Sequence, residues 1–145
     1  MRPSLHGVLS VKVRMASLIK FEKNAIDMGG SYCSVTIRNL VKRTQVVQNI
    51  AGILKWEQIK HFPIQILRNR RHPYNLVKIE LFGYSPSNTA EVIPIGSVSF
   101  HLHDILSANP IAGTYDLWND HIQVGDMTSS LRTRMVFRIW LFATT

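Results

Sequence analysis

Residues 75–105 read NLVKIELFGYSPSNTAEVIPIGSVSFHLHDI, and this stretch decides the fold of the chain. In its first third, Val77, Ile79 and Leu81 alternate with a lysine and a glutamate. A period of two puts the apolar side chains of an extended strand on one face and the charged ones on the other. The stretch therefore begins with a β-strand that has one buried face and one face in water.

A second alternating strand ends the same stretch. Gly96, Val98, Phe100 and Leu102 are separated by serines and histidines, so this strand also has an apolar face and a polar face. The segment between the strands, residues 83–94, holds glycine, serine, asparagine and two prolines, which are typical of loops. The sequence therefore predicts two half-buried strands joined by a loop.

The rest of the chain repeats this pattern at short intervals. No segment has a long helical period, although residues 104–108 predict a helical turn and residues 119–130 a polar loop. The other predicted strands are residues 7–16, 31–40, 44–48, 55–66, 115–118 and 133–143. About eight short strands separated by turn signals indicate an all-β fold, an eight-stranded antiparallel β-sandwich.

The predicted strand over residues 55–66 is the least regular of these. Its apolar anchors include Trp56, Ile59 and Phe62, which do not alternate strictly. A β-bulge near Lys60 and His61 would explain the slip, because a bulge adds one residue to one strand of a pair.

Length and composition limit the possible classes of protein. A chain of 145 residues can form one domain, here residues 1–145 with a core over about 7–143. No apolar run approaches the roughly 18 residues that cross a bilayer. Lys12 and Arg14 interrupt the first apolar segment, which makes it a poor signal peptide, so a cytoplasmic chain is expected. The single cysteine, Cys33, excludes an internal disulfide.

The order of these features resembles that of the C2 domain family. The matching runs are LSVKV (9–13) with DMGGSYCSVTI (27–37), TQVV (44–47) with KWEQIKHF (55–62), LVKIEL (76–81) with IG (95–96), and LHDI (102–105) with YDLW (115–118). Their order resembles the circularly permuted, type II form of the family. Within the family, residues 55–66 and 95–105 resemble the C2 domains of sperm cation-channel targeting subunits, which implies delivery of a channel complex to the flagellum.

The resemblance implies a calcium site on the loops at one end of the sandwich. Calcium is held by six to eight oxygens, many of them from carboxylates. Asp27 matches the first ligand position and Glu91 approximates the last, but the paired aspartates of the family fall on Gly83 and Ser85. One or two carboxylates do not hold a divalent ion tightly, so the chain is predicted to bind neither calcium nor another cofactor.

Basic residues offer a route to an anionic partner without calcium. The net charge of +8 favours lipid headgroups, nucleic acid or an acidic protein surface. The candidate residues for contact with an anionic surface are Lys12, Arg14, Arg38, Lys42, Arg43 and Lys60, with a second cluster at Arg68, Arg70 and Arg71. Cations near an anionic leaflet contribute on the order of 1 kcal/mol each. The alternative is a dispersed, solvated basic surface.

Trp140 is the candidate for contact with a protein partner. Alternation turns it outward if Phe137 and Ile139 face the core, and exposed tryptophans are frequent at interfaces. The alternative is that a loop of the same domain covers it.

Enzymatic and nucleic-acid functions have little support in the sequence. No nucleophile motif, phosphate-binding loop or dinucleotide fingerprint occurs, and His101 and His103 have no third metal ligand nearby in sequence. No basic–aromatic motif for nucleic acid is present. The sequence thus predicts a calcium-independent C2-type module, not an enzyme, that docks or scaffolds a membrane-associated protein complex. The alternative function is peripheral phospholipid binding through the basic patches.

Overall fold

The computed structural model describes residues 4–18, 30–67, 72–85, 91–108 and 111–138, with side chains for all of these except 4, 5, 108 and 133–138. These residues form eight strands: β1 (Ser4–Leu18), β2 (Ser31–Ile37), β3 (Leu40–Arg43), β4 (Ile53–Gln65), β5 (Leu76–Tyr84), β6 (Val92–His101), β7 (Ile111–Asn119) and β8 (Ile122–Arg138). A 3₁₀ turn, Pro73–Asn75, precedes β5, and a short helix, α1 (Leu102–Ala108), joins β6 to β7.

The strands form one antiparallel sheet in the order β3-β2-β5-β6-β7-β8-β1-β4. The sheet folds over so that its two ends approach each other. The Trp56 indole on β4 donates to the Ser31 carbonyl on β2 at 3.4 Å, and the Gln45 amide after β3 donates to Gln58 Oε1 on β4 at 2.8 Å. The predicted all-β, eight-stranded antiparallel sandwich is confirmed.

The core lies between the two halves of the folded sheet, and the alternation in residues 75–105 is confirmed there. Val77, Ile79 and Leu81 are fully buried on β5, while Lys78 and Glu80 lie on the outer side. On β6, Gly96 and Phe100 are buried. The helix begins at Leu102 and not at residue 104, because Leu102 and Ile105 both pack into the core.

The third predicted strand is misplaced. Residues 44–48 are not a strand, and β3 is Leu40–Arg43 instead. Arg38 takes a left-handed φ of 55° in a two-residue turn with Asn39, so the chain reverses at once and Leu40 pairs with Ile37. The Thr44 hydroxyl then accepts the Cys33 amide at 2.9 Å, which replaces a ladder bond and ends the strand.

The predicted polar loop over residues 119–130 is also wrong. Asp120, with a φ of 55°, forms a tight turn with His121, and β8 begins immediately at Ile122. The polar side chains of β8 are paired across the outer face: Thr128 bonds Thr114 at 3.0 Å, and Gln123 donates to Asp116 at 2.8 Å. Such cross-strand pairs stabilise a sheet, although these residue types are typical of loops.

The irregularity in β4 lies elsewhere than predicted. Lys60 and His61 pair regularly with Val11 and Ser10, so there is no bulge at these positions. The register between β1 and β4 shifts near Glu57, which has a φ of 50°. Alternation along β4 nevertheless continues unbroken, so Ile59 is on the outer face and 50% exposed, not a core anchor, whereas Trp56 and Phe62 are buried as predicted.

Candidate functional site

The loops that would hold calcium lie at the end of the sandwich where β1 finishes and β2 begins. Gly83 pairs with Ser31, and the buried Ser85 donates its amide to the Glu91 carbonyl at 3.0 Å. The structure thus brings Gly83, Ser85 and Glu91 together, but two of the three lack a carboxylate. Asp27 lies outside the described residues. Among the residues described, no group of three or more histidines, cysteines, aspartates or glutamates is placed to hold a metal ion.

Two of the candidate basic residues are engaged with the backbone of β4. Arg38 donates to the Gln65 carbonyl, and its Nε donates to the Tyr74 carbonyl at 3.3 Å. Lys42 donates to the His61 carbonyl, with its Nζ 5.3 Å from the centre of the Phe62 ring. Both side chains connect the two ends of the folded sheet. Their first role is therefore to stabilise the fold.

Lys12 and Arg14 share one carboxylate on the outer face of β1 and β4. Lys12 Nζ is 3.7 Å and Arg14 Nε 3.3 Å from Glu57 Oε2. The hydrogen bond from Arg14, followed by the positive charges of Arg14, Lys12 and Lys55, holds the pKa of Glu57 below its ordinary value. We call this group, Lys12, Arg14, Lys55 and Glu57, the basic cluster.

Arg43 and Lys60 lie in other places. The Arg43 guanidinium is 5.2 Å from the centre of the Tyr32 ring, which stacks on Phe82 with 5.4 Å between the ring centres. Lys60 is opposite the buried Val11 and therefore shares the inner face of β4, where it is half-buried. Most of the candidate basic residues that the structure describes thus have partners of different kinds, namely a carboxylate, backbone carbonyls or an aromatic ring. Arg68, Arg70, Arg71 and Trp140 lie outside the described side chains.

An apolar groove at the calcium-loop end was missed from the sequence. Val47, Gln48, Ile50, Ile53 and Lys55 line a groove of about 360 Å³, which we call the loop groove. Ile50 is 75% exposed and Ile53 42% exposed. The two isoleucines exchange backbone hydrogen bonds of 3.0 Å around a tight turn.

The turn explains why Ile50 projects from the surface. Ala51 and Gly52 both have positive φ, 55° and 83°, as a type I′ turn requires. The Gly52 amide donates to Asn49 Oδ1 at 2.7 Å, and the Gly52 carbonyl accepts the Leu18 amide at 2.9 Å. An asparagine placed shortly before a glycine was the available signal for this turn.

Cys33 does not belong to any of these surfaces. It is fully buried on β2, and burial raises the pKa of its thiol well above the usual range. A thiol that stays protonated is a poor nucleophile and a poor metal ligand. This supports a packing role for the only cysteine in the sequence.

No helix in the described part of the chain has both the length and the apolar character needed to cross a membrane.

No protein-family profile and no curated protein sequence matches the chain, but solved structures do. A C2 domain-containing protein from an elicitor-responsive gene matches with a TM-score of 0.69 and 16% identity over 91% of each chain. The tandem C2 domains of extended synaptotagmin 2 match with a TM-score of 0.70 and 19% identity, over 92% of this chain and 43% of that chain. The same pair of domains is also known in a calcium-bound form.

A third match is CC2D1B, a protein described as coordinating ESCRT-III activity during reformation of the nuclear envelope. It has a TM-score of 0.65 and 18% identity, over 91% of this chain and 64% of that chain. At these identities the likeness concerns the fold. The strand order, the buried alternation and these matches together show that the chain has the C2 fold.

Proposed function

We propose that the chain is a calcium-independent C2-type module that docks on a protein of a membrane-associated complex. The observation that carries this proposal is the loop groove. Contiguous exposed apolar surface with a polar rim is typical of interaction sites. Here Ile50 and Ile53 supply the apolar surface, and Lys55 stands at the rim.

The hydrogen bonds beneath the groove favour binding. The turn at Ala51 and Gly52 fixes the backbone of Ile50, so little backbone entropy is lost when a partner covers the side chain. Burying an isoleucine contributes about 1.5–3 kcal/mol. A partner segment that covers Ile50 and Ile53 together would gain enough to make this groove an important part of an interface.

The chemistry of the loop positions supports calcium independence. Gly83 and Ser85 offer no carboxylate, and Glu91 is exposed with its backbone carbonyl bonded to Ser85. Calcium in C2-like sites needs several carboxylates to replace its water. The calcium-bound form is a property of extended synaptotagmin 2, and we do not carry it over to this chain.

Phospholipid binding through basic surfaces is the second candidate function. The net charge of +8 and the exposure of Lys12 and Arg14 favour it, since their side chains are 40% and 49% accessible. The engagement of Arg38 and Lys42 with the β4 backbone speaks against a large lipid-binding patch. Docking on a protein is therefore the function that the geometry supports best.

We further propose that the complex is the channel complex of the sperm flagellum, with the chain peripheral to the membrane. The likeness of residues 55–66 and 95–105 to sperm channel-targeting subunits supports this assignment. The coordination of ESCRT-III activity described for CC2D1B, which shares the fold, is consistent with a scaffolding function.

Replacing Ile50 with aspartate tests the docking function. In cells, the full chain fused to a proximity-labelling enzyme should label a discrete set of proteins from a membrane-associated complex. Ile50→Asp should reduce that labelling about tenfold or more, because it removes the apolar contact and places a charge in the interface.

Ile122→Asp is the matched control, since Ile122 is 58% exposed at a different turn. Both variants should unfold at the same temperature as the wild type. Unchanged labelling by Ile50→Asp, or an equal loss with Ile122→Asp, would refute docking through the loop groove.

A further inference from the structure

We propose that the outer face of β1 and β4 binds an acidic, partly apolar segment of the protein partner, which displaces Glu57 from Lys12 and Arg14. This proposal rests on the docking function proposed above and names the partner's chemistry. The face consists of the basic cluster together with two neighbouring isoleucines, Ile53 and Ile59, and we call it the β1–β4 face.

Alternation along β4 builds the β1–β4 face. Even-numbered residues such as Trp56 and Phe62 are buried, so the odd-numbered side chains point outward. Ile53, Lys55, Glu57 and Ile59 therefore follow one another on the outside. Lys12 lies directly opposite Ile59, and Arg14 contacts Glu57.

The charges of the face call for an anionic ligand. Lys12, Arg14 and Lys55 carry three positive charges around the single carboxylate of Glu57. The Glu57 side chain is 32% accessible and its partners more so, which means that a ligand can reach every group. Glu57 acts as an internal counter-ion that a carboxylate of the partner replaces.

The ligand must lie on the face and not extend the sheet at its edge. A partner strand that added to β4 would need its edge carbonyls and amides. The carbonyls of His61 and Gln65 are already occupied by Lys42 and Arg38, and Pro63 has no amide hydrogen. The outer side of the strand remains accessible: Ile59 is 50% and Ile53 42% exposed.

A protein segment fits this face better than a bilayer does. Ile59 lies in the middle of a strand, between Lys12 and Glu57, and cannot penetrate a membrane as a protruding loop tip would. A peptide can instead place its carboxylates on the cations and its apolar side chains on Ile53 and Ile59.

Titration of a fluorescent peptide into the full chain tests this proposal. The probe is a capped peptide in which glutamate and leucine alternate; a glutamate–serine peptide and vesicles of phosphatidylserine and phosphatidylcholine are the comparison ligands. The glutamate–leucine peptide should bind best. Lys12→Glu with Arg14→Glu should weaken its binding at least about tenfold, and Glu57→Gln should strengthen it about threefold by releasing both cations.

The opposite sheet face offers a matched control. Lys78 and Glu80 form a pair with the same 3.7 Å separation as Lys12 and Glu57. Lys78→Glu and Glu80→Gln should leave peptide binding unchanged. The proposal is overturned if the peptide does not bind, if these controls act as strongly as the β1–β4 face variants, if Glu57→Gln weakens binding, or if vesicles bind the face while the peptide does not.

The two proposals can fail separately. The two surfaces share Ile53 and Lys55, but the substitutions do not overlap: peptide titration tests Lys12, Arg14 and Glu57, and proximity labelling tests Ile50. If the peptide titration fails but labelling still depends on Ile50, only the acidic-segment proposal is refuted. If Ile50→Asp does not change the labelling, the docking function is refuted, whether or not the peptide binds.

Discussion

Gly125→Ala is expected to lower the free energy of unfolding by about 3 kcal/mol, the upper end of the usual cost of overpacking. Gly125 is buried on β8, where it pairs with Leu18 of β1 and Leu117 of β7. A Cβ at this position would overlap the Ser17 carbonyl oxygen and stand 3.1 Å from Leu18 Cα. Backbone atoms of a paired strand cannot rotate away as a side chain can, so β1 and β8 must separate locally.

Chemical denaturation of the wild type and the variant measures this loss directly. For a domain of this size, about 3 kcal/mol corresponds to a fall of roughly 6–12 °C in the melting temperature. Ser130→Ala is the control, because Ser130 lies on the outer face of the same strand and should change stability by less than about 0.5 kcal/mol. If Gly125→Ala lowers the free energy of unfolding no more than this control does, β8 does not approach Ser17 so closely.

Phe62→Ala is expected to cost about 3–5 kcal/mol, as truncations of buried aromatic residues do. The Phe62 ring is fully buried on the inner face of β4. It also lies beneath Lys42, whose Nζ is 5.3 Å from the ring centre. The substitution removes core volume and, at the same time, the support of a side chain that joins the two ends of the sheet.

Ile59→Ala is the informative comparison for Phe62→Ala, because both residues are apolar positions of the same strand. Ile59 is 50% exposed on the outer face, and its truncation should cost less than about 1 kcal/mol. Urea denaturation of the two variants compares the two faces of β4. Equal costs would contradict the orientation of this strand.

The sequence predicts the fold best where alternation is strict and uninterrupted. On β5, charged and apolar residues alternate without exception from Val77 to Leu81, and the structure buries them accordingly. β4 shows why a near-regular pattern misleads. Strict alternation from Trp56 would have placed Ile59 outside with Lys55 and Glu57, but its apolar character suggested a core position.

Turns were the second source of error, because a single residue in the left-handed region decides where a strand begins. Arg38 and Asp120 both take positive φ in two-residue turns, which starts β3 and β8 earlier than residue composition suggests. An asparagine lies next to each of them, and it was an available local signal for a turn.

The sequence predicts which chemical groups the candidate site contains, but it does not predict how they are arranged. The absence of carboxylates at Gly83 and Ser85 can be read from the sequence. The partners of each cation cannot be read from the sequence, since Arg38 bonds a carbonyl 27 positions away and Arg14 bonds a carboxylate 43 positions away. Such contacts depend on the folding-over of the whole sheet, which local patterns do not describe.

Co-sedimentation of the full chain with anionic vesicles, in calcium or in chelator, tests calcium independence most directly. We predict that the fraction bound is the same in both, because Gly83 and Ser85 provide no carboxylate. Any binding that does occur should be weak and should fall with salt, as contacts of a few surface cations do. Binding that requires calcium would contradict the assignment of a calcium-independent docking module.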